Sequence, residues 1–218
     1  VGKKQNPVQQ LMDKALSATG YGDNACMLLV GCEGDRADVT WSVTQTTATC
    51  VKHGALPLGN SLGRKWYEGR FNMPYLRDPL LDRGVGVETL ETATTWDNIH
   101  HLHQVVGDAI QTAIEETTGR EGIVMCHISH SYRTGASLYF TFVFEMNREA
   151  PLEQWNVIKK RASDAIRDHG GTISHHHGVG ADHLPWMKGE KGETGMKVLH
   201  SIRKEVDPRQ IMNPGRTF

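Results

Sequence analysis

Between residues 138 and 146 every second position is large and apolar, Leu138, Phe140, Phe142, Phe144 and Met146, with Tyr139, Thr141, Val143 and Glu145 in between. A period of two predicts a strand over 136–146 with one core face and one partly polar face. Residues 122–131 predict its hairpin partner, joined through Arg133-Thr134-Gly135. Residues 84–95, through Val85, Val87 and Leu90, predict a third strand. The period changes over 97–118, where Ile99, Leu102, Val106, Ile110, Ala113 and Ile114 fall on one helical face and Gly119 supplies a stop. Leu152, Trp155, Ile158, Ala162, Ala165 and Ile166 mark a second amphipathic helix over 151–169.

Weaker signals complete the outline. Asn6-Pro7 caps a helix running to Gly20, Asp35 caps one ending near Gly54, and shorter helices are expected over 61–70 and 74–82. Residues 25–32 read as a short buried strand, 175–177 as another, and 193–206 as a last helix stopped by Asp207-Pro208. Together these give an α+β fold, an antiparallel sheet covered by helices, with a sheet face left open for function.

Composition narrows the function classes. The 218 residues carry 24 Lys and Arg against 25 Asp and Glu, a net charge of -1, with no basic stripe for nucleic acid. No apolar stretch approaches the ~20 residues needed to cross a bilayer. Four scattered cysteines without a C-x-x-C pair suggest neither a disulfide framework nor a thiolate metal site, so a reducing cytoplasm is expected. The chain begins at Val1 without a signal peptide and reads as a piece of a longer protein.

Twelve histidines are the most informative feature, above all Ser174-His175-His176-His177-Gly178-Val179-Gly180. In a strand His175 and His177 would share a face and His176 would oppose them. Imidazole moves protons near neutrality and donates hydrogen bonds to a developing anion, which suits catalysis, although ordinary surface histidines would look alike. A metal-dependent hydrolase is a competing reading, with His175 and His177 joined by Asp182 or His183, or by His127 and His130, as ligands. His100, His101 and His103 belong to the solvated side of their helix. Alternation along 126–130 groups Cys126, Ile128 and His130 on one face, but four residues of strand separate Cys126 from His130 by roughly 13 Å, too far for direct activation. Arg77, at the start of a helix, offers a planar fork to a phosphate or carboxylate, with a plain Arg77/Asp78 surface pair as the simpler reading.

Three separated segments carry a family resemblance. Pro74-Tyr75-Leu76-Arg77-Asp78 with 88–96, then Gly135-Ala136-Ser137-Leu138-Tyr139-Phe140, then 174–180 with the tail Val206-Asp207-Pro208, resemble the alkyldihydroxyacetonephosphate synthase (alkylglycerone-phosphate synthase) family, in its order and at similar spacing. The tail is also generic for the wider vanillyl-alcohol-oxidase-like flavoproteins. The resemblance implies that residues 1–218 are the C-terminal cap, or substrate, domain of an FAD-dependent enzyme whose FAD-binding domain lies upstream. It implies exchange of the acyl group of acyl-dihydroxyacetone phosphate for a fatty alcohol, with the flavin acting through a covalent adduct without net redox change. Tyr139 would be the general acid/base at the carbon next to the ketone, and His175, His176 and His177 would assist it and bind the departing or entering oxygen. Arg77 would hold the lipid-phosphate substrate. The resemblance leaves open an FAD-linked 2-hydroxy-acid oxidase or dehydrogenase, a homodimer, and contact with a membrane surface.

Overall fold

The structure, a computed structural model, describes residues 26–216. The helix expected over 6–20 lies outside them. The chain divides into two compact units between Met73 and Pro74.

The first unit contains helix α1 (Arg36–Lys52) and helix α2 (Ser61–Gly69). Asp35 stands at the N-cap in the extended conformation, but its side chain makes no capping hydrogen bond. The threonines of α1 are accommodated by bonding back along the helix: Thr40 Oγ1 donates to the Arg36 carbonyl and Thr44 Oγ1 to that of Thr40, both at 2.7 Å. The strand expected over 25–32 is not formed. Residues 26–32 form no strand, and Met27, Leu28 and Val30 are exposed. Apolar character alone makes no strand when the backbone finds no neighbour to bond.

In the second unit a short 310 turn (Met73–Leu76) and helix α3 (Arg77–Leu81) lead into strand β1 (Val85–Thr95). Helix α4 (Ile99–Thr118), strands β2 (Ile123–Ser131) and β3 (Gly135–Glu145), helix α5 (Pro151–Asp168) and helix α6 (Gly180–Val206) follow. The sheet is antiparallel in the order β1-β3-β2, with the long β3 in the centre. One face packs on α4, which also packs on α5, and α6 packs on α5. The core is the one the periodicity marked out: Leu90, Leu138, Phe140, Phe142 and Phe144 meet Leu102, Val106, Ile110 and Ile114 of α4 and Ile158, Ala162 and Ile166 of α5. Gly135 is needed where β3 begins, because a Cβ there would stand 2.1 Å from the Thr94 carbonyl oxygen of β1.

Three further expectations are corrected. Leu152 points to solvent rather than into the core, because it lies in the first turn of α5, beyond the packed stretch. Helix α6 starts at Gly180, well before the expected 193; a break at Gly192 (φ 69°, ψ 171°) separates an unforeseen first half from the expected second. Pro185 and Gly189 disguise that first half in the sequence, yet tertiary contacts hold it: Trp186 and Met187 are buried, and Trp186 Nε1 donates to Asp164 of α5 at 2.8 Å. The segment 175–177 is a bent loop, not a strand.

Candidate active site

The face of the sheet turned away from α4 is organised by register. Glu91 of β1 and His127 of β2 lie directly across from Tyr139 of the central strand, so the three side chains form one rung. His127 and Tyr139 stack with ring centroids 5.1 Å apart. On the next rung, past Ser137, β2 carries an extra residue between Ile128 and Ser131. This bulge corrects the simple alternation: His130 leaves the side of Cys126 and joins Ser129 on the Glu91 side.

The loop after α5 brings the triplet over this rung. It follows the free edge of β1, where the Thr172 N–H donates to the Ala93 carbonyl (3.0 Å) and the His175 N–H to that of Glu91 (3.2 Å). Thr92 Oγ1 donates to the Thr172 carbonyl at 2.7 Å, and Glu190 of α6 accepts from the Ile173 N–H and the Thr172 hydroxyl at 2.6 and 3.1 Å. The loop cannot continue as a strand, because His176 has a φ of 59° and the His177 N–H turns back to the His175 carbonyl at 2.8 Å. Gly178 and Gly180 also have positive φ, 72° and 57°, while a Cβ at either would meet nothing within 4 Å, so conformation rather than crowding calls for glycine.

Glu91, only 3% exposed, is where these groups converge. His175 Nδ1 lies 3.2 Å and His130 Nδ1 3.4 Å from its Oε1, and His177 Nε2 lies 3.5 Å from its Oε2. The Ser129 hydroxyl donates to the same carboxylate and lies 2.6 Å from the Ser137 hydroxyl. His176 turns the other way and stacks on His130, centroids 4.6 Å apart and planes within 4°. His177 meets Tyr139 edge to face at 5.4 Å. The Tyr132 hydroxyl lies 3.0 Å from His175 Nε2.

Burial by itself would raise the Glu91 carboxyl, but the hydrogen bonds of Ser129, the approach of His175, the hydroxyl of Ser137 and the charge His175 can carry outweigh it, and the group sits below its ordinary 4.5. A depressed carboxyl stabilises the fold above its unfolded value and loses that contribution as pH falls through the folded one. Glu91→Gln is therefore expected to cost about 1.5–3 kcal/mol near pH 7. The deficit should narrow below the ordinary carboxyl range, as wild type loses the same advantage. Denaturant melts of the two proteins at neutral and acid pH measure this, and a deficit that stays constant down to pH ~3 would contradict the charged role of Glu91.

The structure thus brings Tyr139, His175, His176 and His177 together, with His130, which sequence reading considered only as a metal ligand or as a partner of Cys126, and adds Glu91, Ser129, Tyr132 and Ser137, to which it gave no catalytic part. An acidic residue on the non-core side of a strand was the available signal for Glu91. Arg77 is not brought into contact with this group: it is exposed at the start of the five-residue α3 and lies 4.0 Å from Asp78. Cys126 packs against the core, and burial pushes its thiol up to about 12, which removes it as a nucleophile. His183 is buried as well; desolvation lowers its pKa, and its Nδ1 lies 2.9 Å from the Val179 carbonyl at the start of α6, a structural placement. Among the described residues the group nearest to a metal site is His130, His175 and His176, whose nitrogens lie within 4.8 Å of one another. The face-to-face stacking of His130 on His176 does not converge their lone pairs on a common point.

The FAD linked oxidases, C-terminal domain family matches residues 5–217. The chain belongs to that family. It is 35% identical over 193 residues to the alkyldihydroxyacetonephosphate synthase of Dictyostelium discoideum, covering 88% of this chain and 31% of that protein. It is 33% identical over 190 residues to the alkyldihydroxyacetonephosphate synthase of Trypanosoma brucei brucei, covering 87% and 31%. Its fold is similar to a solved alkyldihydroxyacetonephosphate synthase in space group P212121, with a TM-score of 0.62 and 27% identity over 98% of this chain and 36% of that one. The chain thus spans about a third of the length of the relatives it matches. The family members are FAD-linked enzymes.

The described residues fit one part of that cofactor. The rung of His127, Tyr139 and Glu91, with His177 beside it, leaves His127 exposed and Tyr139 half-exposed among the described residues, a surface suited to the flat reactive ring of a flavin. No strand, glycine loop and helix in succession among them makes a cradle for the dinucleotide phosphates.

Proposed function

We propose that this chain is the substrate-binding and catalytic cap half of an FAD-dependent, alkyldihydroxyacetonephosphate-synthase-like enzyme, joined to an FAD-binding domain upstream. The observation that carries this reading is the placing of a phenol, Tyr139, between two imidazoles on an open sheet face, above a buried carboxylate shared by the histidine loop. The reaction would replace the acyl group of acyl-dihydroxyacetone phosphate by a long-chain alcohol, making an ether-lipid precursor. When bound, FAD would supply an electron-accepting ring facing the reacting carbon.

The roles of the chain's own residues follow from their chemistry. Tyr139 takes and returns the proton on the carbon next to the ketone. An ordinary phenol titrates near 10, so it needs a partner to act near neutrality. His177 is that partner, lying against the Tyr139 ring with Glu91 3.5 Å behind its Nε2. His176 binds the departing or entering oxygen, and His175, whose Nε2 and Nδ1 face Tyr132 and Glu91, acts on it through the Tyr132 hydroxyl. Arg77, exposed and held only by a long contact to Asp78, turns to the substrate phosphate, where a bidentate fork is effective. The enzyme works in the cytoplasm at a membrane surface, from which its lipid substrates come. No described helix is long and apolar enough to cross a membrane.

The test is an exchange assay on the flavin-loaded full-length protein, supplying acyl-dihydroxyacetone phosphate and a fatty alcohol and following alkyl product and released fatty acid. Both should appear together in equal amounts. Bleaching of the flavin by a simple 2-hydroxy acid, without exchange, would instead assign an oxidase or dehydrogenase.

A further inference from the structure

Replacing an acyloxy group by an alcohol needs two kinds of proton transfer, one at carbon and one at the entering oxygen, and Tyr139 serves only one of them. A second phenol stands on the same site. The Tyr132 hydroxyl lies 3.0 Å from His175 Nε2, and the opposite ring nitrogen, Nδ1, lies 3.2 Å from Glu91 Oε1. We propose that Glu91, His175 and Tyr132 form a carboxylate–imidazole–phenol chain in which Tyr132 transfers the proton of the entering alcohol and Glu91 is its positioning residue. This deepens the reading above and rests on it for the identity of the alcohol.

The direction of the chain is set by elementary donor and acceptor rules. An ionised carboxylate only accepts, so the ring nitrogen facing Glu91 is the one that carries hydrogen. That nitrogen is sealed from solvent and makes no aligned hydrogen bond, so the carboxylate oxygen 3.2 Å away is its compensating partner. The neutral ring then presents a lone pair at Nε2, and the Tyr132 O–H donates to it. This is the arrangement needed to draw a proton from the phenol. As the alcohol O–H bond breaks, its proton goes to the Tyr132 oxygen while the Tyr132 proton goes to His175 Nε2. The alcohol oxygen forms its bond to the substrate carbon vacated by the acyloxy group as its proton leaves, so the products are the ether and an imidazolium whose charge Glu91 offsets, and nothing is oxidised.

Exposure descends along the chain as the role requires: Tyr132 is 47% exposed and reachable, the His175 side chain 15%, and Glu91 3%. The Tyr132 main chain is fixed, since its carbonyl accepts from Trp96 Nε1 at 3.0 Å and its N–H donates to Gly135 at 2.8 Å. The groups facing these three are His130 and His177 toward Glu91, with the hydroxyls of Ser129 and Ser137, His130 and His176 toward His175, and His130 stacked on Tyr132 at 6.5 Å. None of them comes between His175 and either neighbour. Two phenols, each set against its own histidine of the triplet, thus share one buried carboxylate.

The experiment uses the full-length protein labelled with 15N-histidine, His175 being assigned by the signal lost in His175→Ala. Wild type and Tyr132→Phe should both show neutral His175 with its proton on Nδ1, and Glu91→Gln should lose that preference. In the exchange assay Tyr132→Phe should lower kcat about 100-fold, with KM changed less than about threefold. Glu91→Gln should lower it at least as far, since it also removes the carboxylate behind His177, and the double variant should be little worse than Glu91→Gln alone, because Tyr132 acts through that carboxylate. A wild-type proton on Nε2, or an unchanged kcat in Tyr132→Phe, would overturn the proposal. If Glu91→Gln does not fold, the wild-type tautomer and the surface variant Tyr132→Phe still decide. The tautomer needs no substrate, so a protein that performs no exchange refutes the proposed activity while the chain itself is still judged.

Discussion

Replacing Tyr139 by phenylalanine in the flavin-loaded full-length protein is expected to lower kcat by about 10²–10⁴-fold, the range contributed by a positioned acid or base. At 1.36 kcal/mol per decade this is about 3–5 kcal/mol of lost transition-state stabilisation. The variant should fold normally. Phenylalanine keeps the ring that stacks on His127 and meets His177, and the Tyr139 hydroxyl makes no hydrogen bond to another described residue that its removal would orphan. KM should therefore stay near wild type while kcat falls, and flavin content should be unchanged. Exchange at the wild-type rate would remove Tyr139 from the chemistry and leave the histidine loop and Tyr132 to account for it.

The largest effect on stability is expected from Phe140→Ala. Phe140 is 1% exposed at the middle of the central strand, paired with Leu90 on one side and Cys126 on the other, and its ring faces the helix layer. Removing it takes away the transfer free energy of the ring and leaves a cavity that α4, whose His103 and Gly107 lie beside the ring, can fill only in part. Losses of about 3–5 kcal/mol are typical of such a change. In a unit of this size that corresponds to a fall of roughly 10 °C in the unfolding midpoint. Calorimetry of the full-length protein would show the shift, and a change under about 1 kcal/mol would mean that the helices close onto the sheet far more readily than close packing allows. Activity should suffer too, since the alternate residue, Tyr139, is positioned by the same strand.

Much of this molecule was legible in the chain. The alternation through Leu138, Phe140, Phe142 and Phe144, and the helical spacing of Ile99 to Ile114, predicted the hairpin, the long helix and the core they share, because each pattern is the geometric period of its element. Tyr139 and the histidine triplet were visible as chemistry-bearing residues, and the resemblance to an FAD-linked family was legible too, a membership that the family match bears out. Periodicity failed where partners outside the local segment decide. The run over 26–32 is apolar without being a strand, with no ladder to join among the described residues, and the first half of α6 is a helix despite Pro185 and Gly189 because Trp186 and Met187 find a buried surface.

The sequence by itself determined which residues of the strands and of the long helix face the core and that β2 pairs with β3, since these depend on side-chain period and on a turn a few residues long; the pairing of β1 with β3, across a helix and a strand, was decided by the tertiary structure. Only the tertiary structure decided the site. A bulge in β2 turned His130 across the sheet, a loop with left-handed His176 laid the triplet along the edge of β1, and Glu91 became the common anion of groups up to 86 positions away in the chain. Contacts between residues so distant are set by how the elements pack, and a buried carboxylate is stable there only because those distant partners surround it.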